Sequence, residues 1–276
     1  MLGWIRLSVR LTGFLIALVI TTLVAATLFI IHRMARAPVN RPLWTARCFW
    51  LLSTCLGWKI HAHGQPAKGG PVLLAANHIS WVDIPVLGVL TGARFLSKSD
   101  VGQWPLIGWL AREGGTLFIQ RGGGQTGNIR REMAKHLKQS EPVLLFPEGT
   151  TSCGLTVLPI YGRLLNAARD ANAVIQPVSI GYRRDNRPDE LAPFIGDDTF
   201  VSHLIRLLKQ PPVRVDVVFH APVAVDCHTP ARELTTQIHQ ALNAGLADIH
   251  NRRSGTLAAP PPTNVEPAIR TAAGPG

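Results

Sequence analysis

Acidic residues are scarce in this 276-residue chain: 17 Asp and Glu stand against 28 Lys and Arg, a net charge of +11. That shortage favours a negatively charged partner, whether nucleic acid, anionic lipid or a phosphorylated substrate. Cysteine is sparse too. Cys48, Cys55, Cys153 and Cys227 are scattered, with no CxxC pair and no finger spacing, which excludes a zinc ribbon and reads as reduced thiols in a cytosol-facing protein. No GxxxxGK[ST] occurs, so there is no Walker loop. The ten histidines are dispersed and include no HExxH, which argues against a metal hydrolase and gives no expected metal ligands. Only two tyrosines are present, and the tryptophans concentrate near the amino terminus. No base-stacking motif can be read, and nucleic acid is not an expected partner despite the charge.

What the chain has in quantity is apolar sequence, at 46% of residues. Leu11 to Ile31 carries no charge. At about 1.5 Å per residue it reaches about 30 Å, the thickness of a bilayer's hydrocarbon core. It is apolar all round and flanked by arginines, unlike a core helix. A cleaved signal is the competing reading, with "ARA" at 35–37 as its cut site. The run is longer than a signal core, however, and Arg33 and Arg36 crowd that site. An uncleaved transmembrane helix is expected. Arg33, Arg36, Arg41 and Arg47 follow the run and Arg6 and Arg10 precede it, which places the rest of the chain in the cytoplasm, at the inner membrane. Cys48 to Trp58 is too short to span. It reads as an interfacial helical segment, or equally as a helix of the globular core.

Beyond residue 59 short apolar runs alternate with helical patterns. "GPVLLAA", "ARFLSK", "GGTLFIQR", "EPVLLFP", "AVIQPVSIGY" and "VRVDVVFHAPVAV" read as strands. Pro177 within the fifth suits an edge or a strand end. "GNIRREMAKHLKQ" reads as a helix with Ile129, Met133 and Leu137 on one face and Arg130, Arg131, Lys135 and Lys138 around them. A last helix follows Thr229 as cap, with Pro230 at its first position. The Pro/Ala/Gly-rich tail after Ser254 is expected to be disordered. The organisation is therefore an anchor at 1–36, the interfacial segment at 37–58, an α/β domain at 59–253 and a tail at 254–276.

Chemistry sits at three strand ends, as α/β sites commonly do. In "NHISWVD", His78 and Asp83 lie five apart, about 140° apart on a straight helix. They can meet only if the chain bends between strand and helix. Given that bend, Asp83 could hold one ring nitrogen and leave the other free as a general base. Otherwise Asn77 or Ser80 caps the helix, and His78 is an ordinary polar residue. In "LFIQRGGG", Arg121 opens a glycine-rich turn suited to a phosphate. In "LLFPEGTTS", the turn around Pro147 aims Glu148 and the Gly149 amide at one point.

Together, "NHISWVD", "LFIQR", "FPEGT" and "IQPVSI" occur in the order of the sequence blocks of glycerolipid acyltransferases. Over about residues 45–225 the chain resembles that family, typified by 1-acyl-glycerol-3-phosphate acyltransferases. The resemblance implies a mixed β-sheet flanked by helices, with an N-terminal transmembrane helix. It also implies an activity: transfer of a fatty acyl group from acyl-CoA or acyl-carrier protein to the free hydroxyl of 1-acyl-sn-glycerol-3-phosphate. Other lysolipids, such as lyso-ornithine lipid, and glycerol-3-phosphate itself are the alternative acceptors. His78 and Asp83 would be catalytic. Arg121, Glu148, Gly149, Thr150 and Lys98 would bind substrate, with Ser152 a helper, and no metal or cofactor is required. If Arg121 grips the acceptor's phosphate, Arg121→Ala raises the acceptor KM more than the donor KM; an unchanged acceptor affinity in direct binding would contradict this.

Overall fold

The sheet is built outward from a strand that touches no solvent. All five residues of "VLLAA" are buried, as in strands covered on both faces. The computed structural model describes residues 1–35, 40–120, 126–226 and 228–252. Arg121, Cys227 and the expected disordered tail lie outside them. The strands are β1 (Lys59–His63), β2 (Val72–Ala76), β3 (Arg94–Lys98), β4 (Leu117–Ile119), β5 (Val143–Leu145), β6 (Val174–Arg184), β7 (Arg187–Pro188) and β8 (Arg214–Phe219). They form one mixed sheet in the order β1-β8-β6-β2-β5-β3-β4, with β7 beside β6. β6 runs antiparallel to β8 and β7; the remaining neighbours are parallel.

The helices are α1 (Leu2–Ala35), α2 (Arg41–Leu56), α3 (Asp83–Thr91), α4 (Ser99–Gly102), α5 (Pro105–Glu113), α6 (Thr126–Lys138), α7 (Asn166–Asp170), α8 (Phe200–Lys209) and α9 (Ala231–Asn251). Side chains alternate across a strand, so β2 feeds two cores. Leu73 and Ala75 join Met133 of α6, Ala167 of α7 and Leu242 of α9 on one face. Val72, Leu74 and Ala76 join Val86 of α3, Leu207 of α8 and Phe49 of α2 on the other.

Two expectations need correction. Pro177 is neither at an edge nor at a strand end, since β6 lies between β8 and β2. Its tolerance is local. The Pro177 carbonyl accepts from the His220 amide (3.0 Å), and Ile175 exchanges bonds with Val223. The missing N–H therefore faces the stretch where the partner chain has left the ladder, and no bond is lost. At α9, Pro230 is the N-cap and Ala231 the first helical residue, with no capping bond from Thr229.

α1 is longer than the apolar run and is the one described helix long and apolar enough to cross a membrane. It does not project away from the domain. Leu7 and Phe14 pack with Leu56 of α2 and with Leu204 and Leu208 of α8. Arg10 donates to the Gln210 carbonyl (2.7 Å), and Lys209 Nζ stands 3.8 Å from the Trp4 ring centre. Leu15, Ile16, Val19, Ile20, Leu23, Phe29, Ile30 and Ile31 remain exposed. One side of α1 rests on protein, and the other is mostly apolar between Leu11 and Ile31, with Thr12 and Thr27 its exposed polar residues there.

α2 is held to α3 by a close approach at Gly88, where an added Cβ would stand 2.2 Å from the Phe49 ring. That ring is fixed edge-on against Phe95. Gly88→Ala should therefore lower stability by about 1–3 kcal/mol in a urea titration, despite the better helix propensity of alanine; a variant as stable as the parent would show that the contact is not tight.

Candidate active site

β2 ends at Ala76, but its ladder continues through a side chain. The Asn77 carboxamide accepts from the Ile180 amide (2.7 Å) and donates to the Ile180 carbonyl (2.9 Å), replacing a strand residue's own peptide. Asn77 is fully buried and does not cap α3; neither does Ser80, whose hydroxyl has no partner. The chain then turns, and α3 starts at Asp83 itself. Asp83 Oδ2 accepts from the amides of Ile79 (2.7 Å) and Ser80 (3.0 Å). The carboxylate thus closes the turn that precedes its own helix.

This bend brings the first expected pair together. His78 Nδ1 lies 2.8 Å from Asp83 Oδ2. The carboxylate only accepts, so Nδ1 carries the proton and Nε2 presents a lone pair. The imidazole stacks on Phe146, with ring centres 3.9 Å apart and 14° between planes. Its backbone is pinned as well: the His78 carbonyl accepts from the amide (2.8 Å) and hydroxyl (3.2 Å) of Ser152.

Asp83 is wholly buried, and its second oxygen accepts from the Tyr182 hydroxyl at 2.5 Å. Burial, reinforced by the Asp83 charge, holds the Tyr182 phenol well above its usual range, so it stays a donor. Sequence reasoning missed Tyr182. It lies on β6, 99 residues from Asp83, and no motif marks it.

Glu148 differs from expectation. It is buried, and its oxygens accept from the amides of His78 (2.6 Å) and Leu158 (2.8 Å). The Gly149 amide closes the turn onto the Phe146 carbonyl (3.0 Å). The two groups are not aimed at one point: Glu148 ties "FPEG" to the His78 loop, while the Gly149 amide is taken up inside its own turn. Burial raises the Glu148 carboxyl, against the pull of its two amide donors.

His78 lines a cavity of about 820 Å³. Most of its wall is apolar, with Phe14, Leu18 and Leu28 from α1, Phe49 from α2, and Ile107 and Leu110 from α5. Lys98, Thr150, Tyr161 and Arg163 also border it. Lys98, Thr150 and Arg163 are exposed, while Thr151 is tied to the Phe194 carbonyl (2.5 Å). Lys98 pairs with Ile119 across β3 and β4, two residues before Arg121. The imidazole of His78 thus lines a mostly apolar cavity that cations also border.

The chain as a whole resembles known proteins. A family model described as acyltransferase matches residues 59–181. Over 211 residues the chain is 42% identical to a lyso-ornithine lipid O-acyltransferase of Pseudomonas aeruginosa, covering 75% of this chain and 81% of that protein. This chain belongs to the acyltransferase family. The acyltransferase is also 34% identical over 278 residues to a lyso-ornithine lipid O-acyltransferase of Rhizobium meliloti, covering 94% and 91% of the two chains. A 1-acyl-sn-glycerol-3-phosphate acyltransferase of Neisseria meningitidis is 32% identical over 190 residues, covering 67% and 74%. The fold of the present chain matches the crystal structure of PlsC, the 1-acyl-sn-glycerophosphate acyltransferase of Thermotoga maritima. The TM-score is 0.68 at 22% identity, over 92% of this chain and all of that one.

Removing the phenol of Tyr182 takes a charge-assisted bond, worth about 1.5–3 kcal/mol, from a buried carboxylate. Tyr182→Phe should slow turnover about tenfold or more, at unchanged KM, and move the acid limb of the pH–rate profile upward, because a carboxylate short of one donor holds the imidazolium proton harder. A slower enzyme with an unmoved acid limb would reduce Tyr182 to a packing residue.

Proposed function

We propose that this acyltransferase moves a fatty acyl group from a thioester, acyl-CoA or acyl-carrier protein, to the free hydroxyl of a lyso-ornithine lipid. The observation that carries the reaction is the His78–Asp83 contact, with His78 on the wall of the apolar cavity. The choice of acceptor rests on the relatives: the lyso-ornithine lipid enzymes match at 42% and 34% identity, the 1-acyl-sn-glycerol-3-phosphate enzyme at 32%. The second reading, favoured by the motifs alone, is 1-acyl-sn-glycerol-3-phosphate as acceptor, giving phosphatidic acid.

In either case Nε2 of His78 takes the hydroxyl proton as the oxygen attacks the thioester carbonyl. The C–S bond then breaks, and the departing thiolate takes the proton from the imidazolium. Asp83 keeps the ring in the required tautomer and offsets its transient charge; a positioned base of this kind contributes about 10²–10⁴-fold. No step calls for a metal or cofactor. The cavity would take the acyl chain. Lys98 and Arg163, with Arg121, would meet the acceptor's anionic group, the ornithine carboxylate or a phosphate. Glu148 and Gly149 serve by holding the His78 loop, and Thr150 lines the approach.

The exposed apolar side of α1 would lie in the inner membrane, with α2 beside it and the catalytic domain on the cytoplasmic side. Acceptor and product could then remain in the bilayer. The test is acyl transfer in membranes against a panel of lysolipids with both donors, for the parent and for His78→Ala. Lyso-ornithine lipid should be acylated best, and His78→Ala should abolish product in a folded protein. Preference for 1-acyl-sn-glycerol-3-phosphate would replace the first reading by the second; a fully active His78→Ala would end both.

A further inference from the structure

We propose that the outward face of α6 is a docking surface for an acidic acyl-carrier protein that presents the acyl thioester. This rests on the thioester-dependent transfer proposed above. Arg131, Lys135 and Lys138 fall within about 60° of one another around the helix, at about 100° per residue. All three are exposed, whereas Ile129, Met133 and Leu137 are buried on the opposite side. Among the described residues none of the three stands in an ion pair. Arg131 bonds to Gly127 and Asn128 of its own helix. The neighbouring acid Asp170 is already held by both ends of the Arg130 fork, at 2.6 Å each, though Lys138 also acts on it, and exposed Glu132 lies about 60° around from Lys135. The stripe thus remains a net positive surface.

Its position selects the partner. The buried side of α6 packs on the sheet face shared with α7 and α9, and α1, α2 and α8 cover the other face. The stripe therefore points away from the exposed apolar side of α1, so it does not face a membrane that α1 enters. A soluble anion is required. The first residue of α6, Thr126, borders the same cavity as His78, and the stripe begins about 7.5 Å and ends about 18 Å from it along the axis. A carrier seated there could pass a long flexible thioester arm over Thr126 into the cavity. The shallow depression on this face is lined by Arg131, Ala134, Lys135, Lys138, Gln139 and Asp170. It contains no aromatic ring on which the adenine of CoA could stack, whereas positive charges one helical turn apart suit an acidic helix of a protein.

The experiment compares the full-length enzyme with R131E/K135E/K138E, using hexadecanoyl-acyl-carrier protein and hexadecanoyl-CoA as alternative donors. The variant should raise the KM for the carrier-linked donor about tenfold or more and leave the KM for the CoA donor and for the acceptor unchanged. Labelled holo-acyl-carrier protein should bind the variant correspondingly more weakly, a readout that needs no turnover. If the parent makes no product from either donor, the acyl-transfer reading fails, while the binding titration still decides the docking surface. Equal loss with both donors, unchanged carrier binding, or a loss of binding to phosphatidylglycerol vesicles instead would overturn the proposal.

Discussion

A single carboxylate organises the chemistry. Asp83 is removed from water entirely, and a bare buried charge would cost several kcal/mol. It receives four donors instead: two backbone amides of the turn before α3, the imidazole of His78 and the phenol of Tyr182. The amides are available because the chain bends after β2, and the bend is held because Asp83 accepts from them. The same closure places His78 against the carboxylate that a regular helix would turn away from it. Fold and dyad are one set of hydrogen bonds.

A second set fixes the height of the imidazole above the sheet. Glu148 accepts from the His78 amide and from Leu158, and Ser152 donates to the His78 carbonyl. The loop after β5 therefore grips the loop after β2 at both the amide and the carbonyl of His78. Phe146, from the same segment, supplies the flat surface beneath the ring. A carboxylate expected to point outward with the Gly149 amide is here spent on backbone amides, because two buried N–H groups would otherwise be left unpaired.

The sheet also separates two environments. On one face lie α1, α2, α3 and α8, with the mostly apolar outer side of α1 left uncovered. On the other, α6, α7 and α9 close an ordinary core beneath a charged exterior. His78 follows the carboxyl end of the central strand that feeds both cores, and so lies where the two environments meet.

Much of this was legible in the residues. The apolar runs marked strands β2, β3, β4, β5, β6 and β8. The 3.6-residue spacing of Ile129, Met133 and Leu137 gave α6 its buried side, and the spacing of His78 and Asp83 demanded a bend. These are local facts, because propensity, periodicity and turn chemistry act over a few residues. Other facts depended on distant parts of the chain meeting. Tyr182 donates across 99 residues. Pro177 is tolerated centrally because the partner strand departs at His220. The long apolar helix lies against α2 and α8 rather than standing apart. Glu148 turned inward because amides 70 and 10 residues away needed an acceptor. The sequence by itself determined which groups could react and what kind of chain could hold them. Only the tertiary structure decided which partners they found, since a buried hydrogen bond is chosen by whatever donor the packed chain brings within reach.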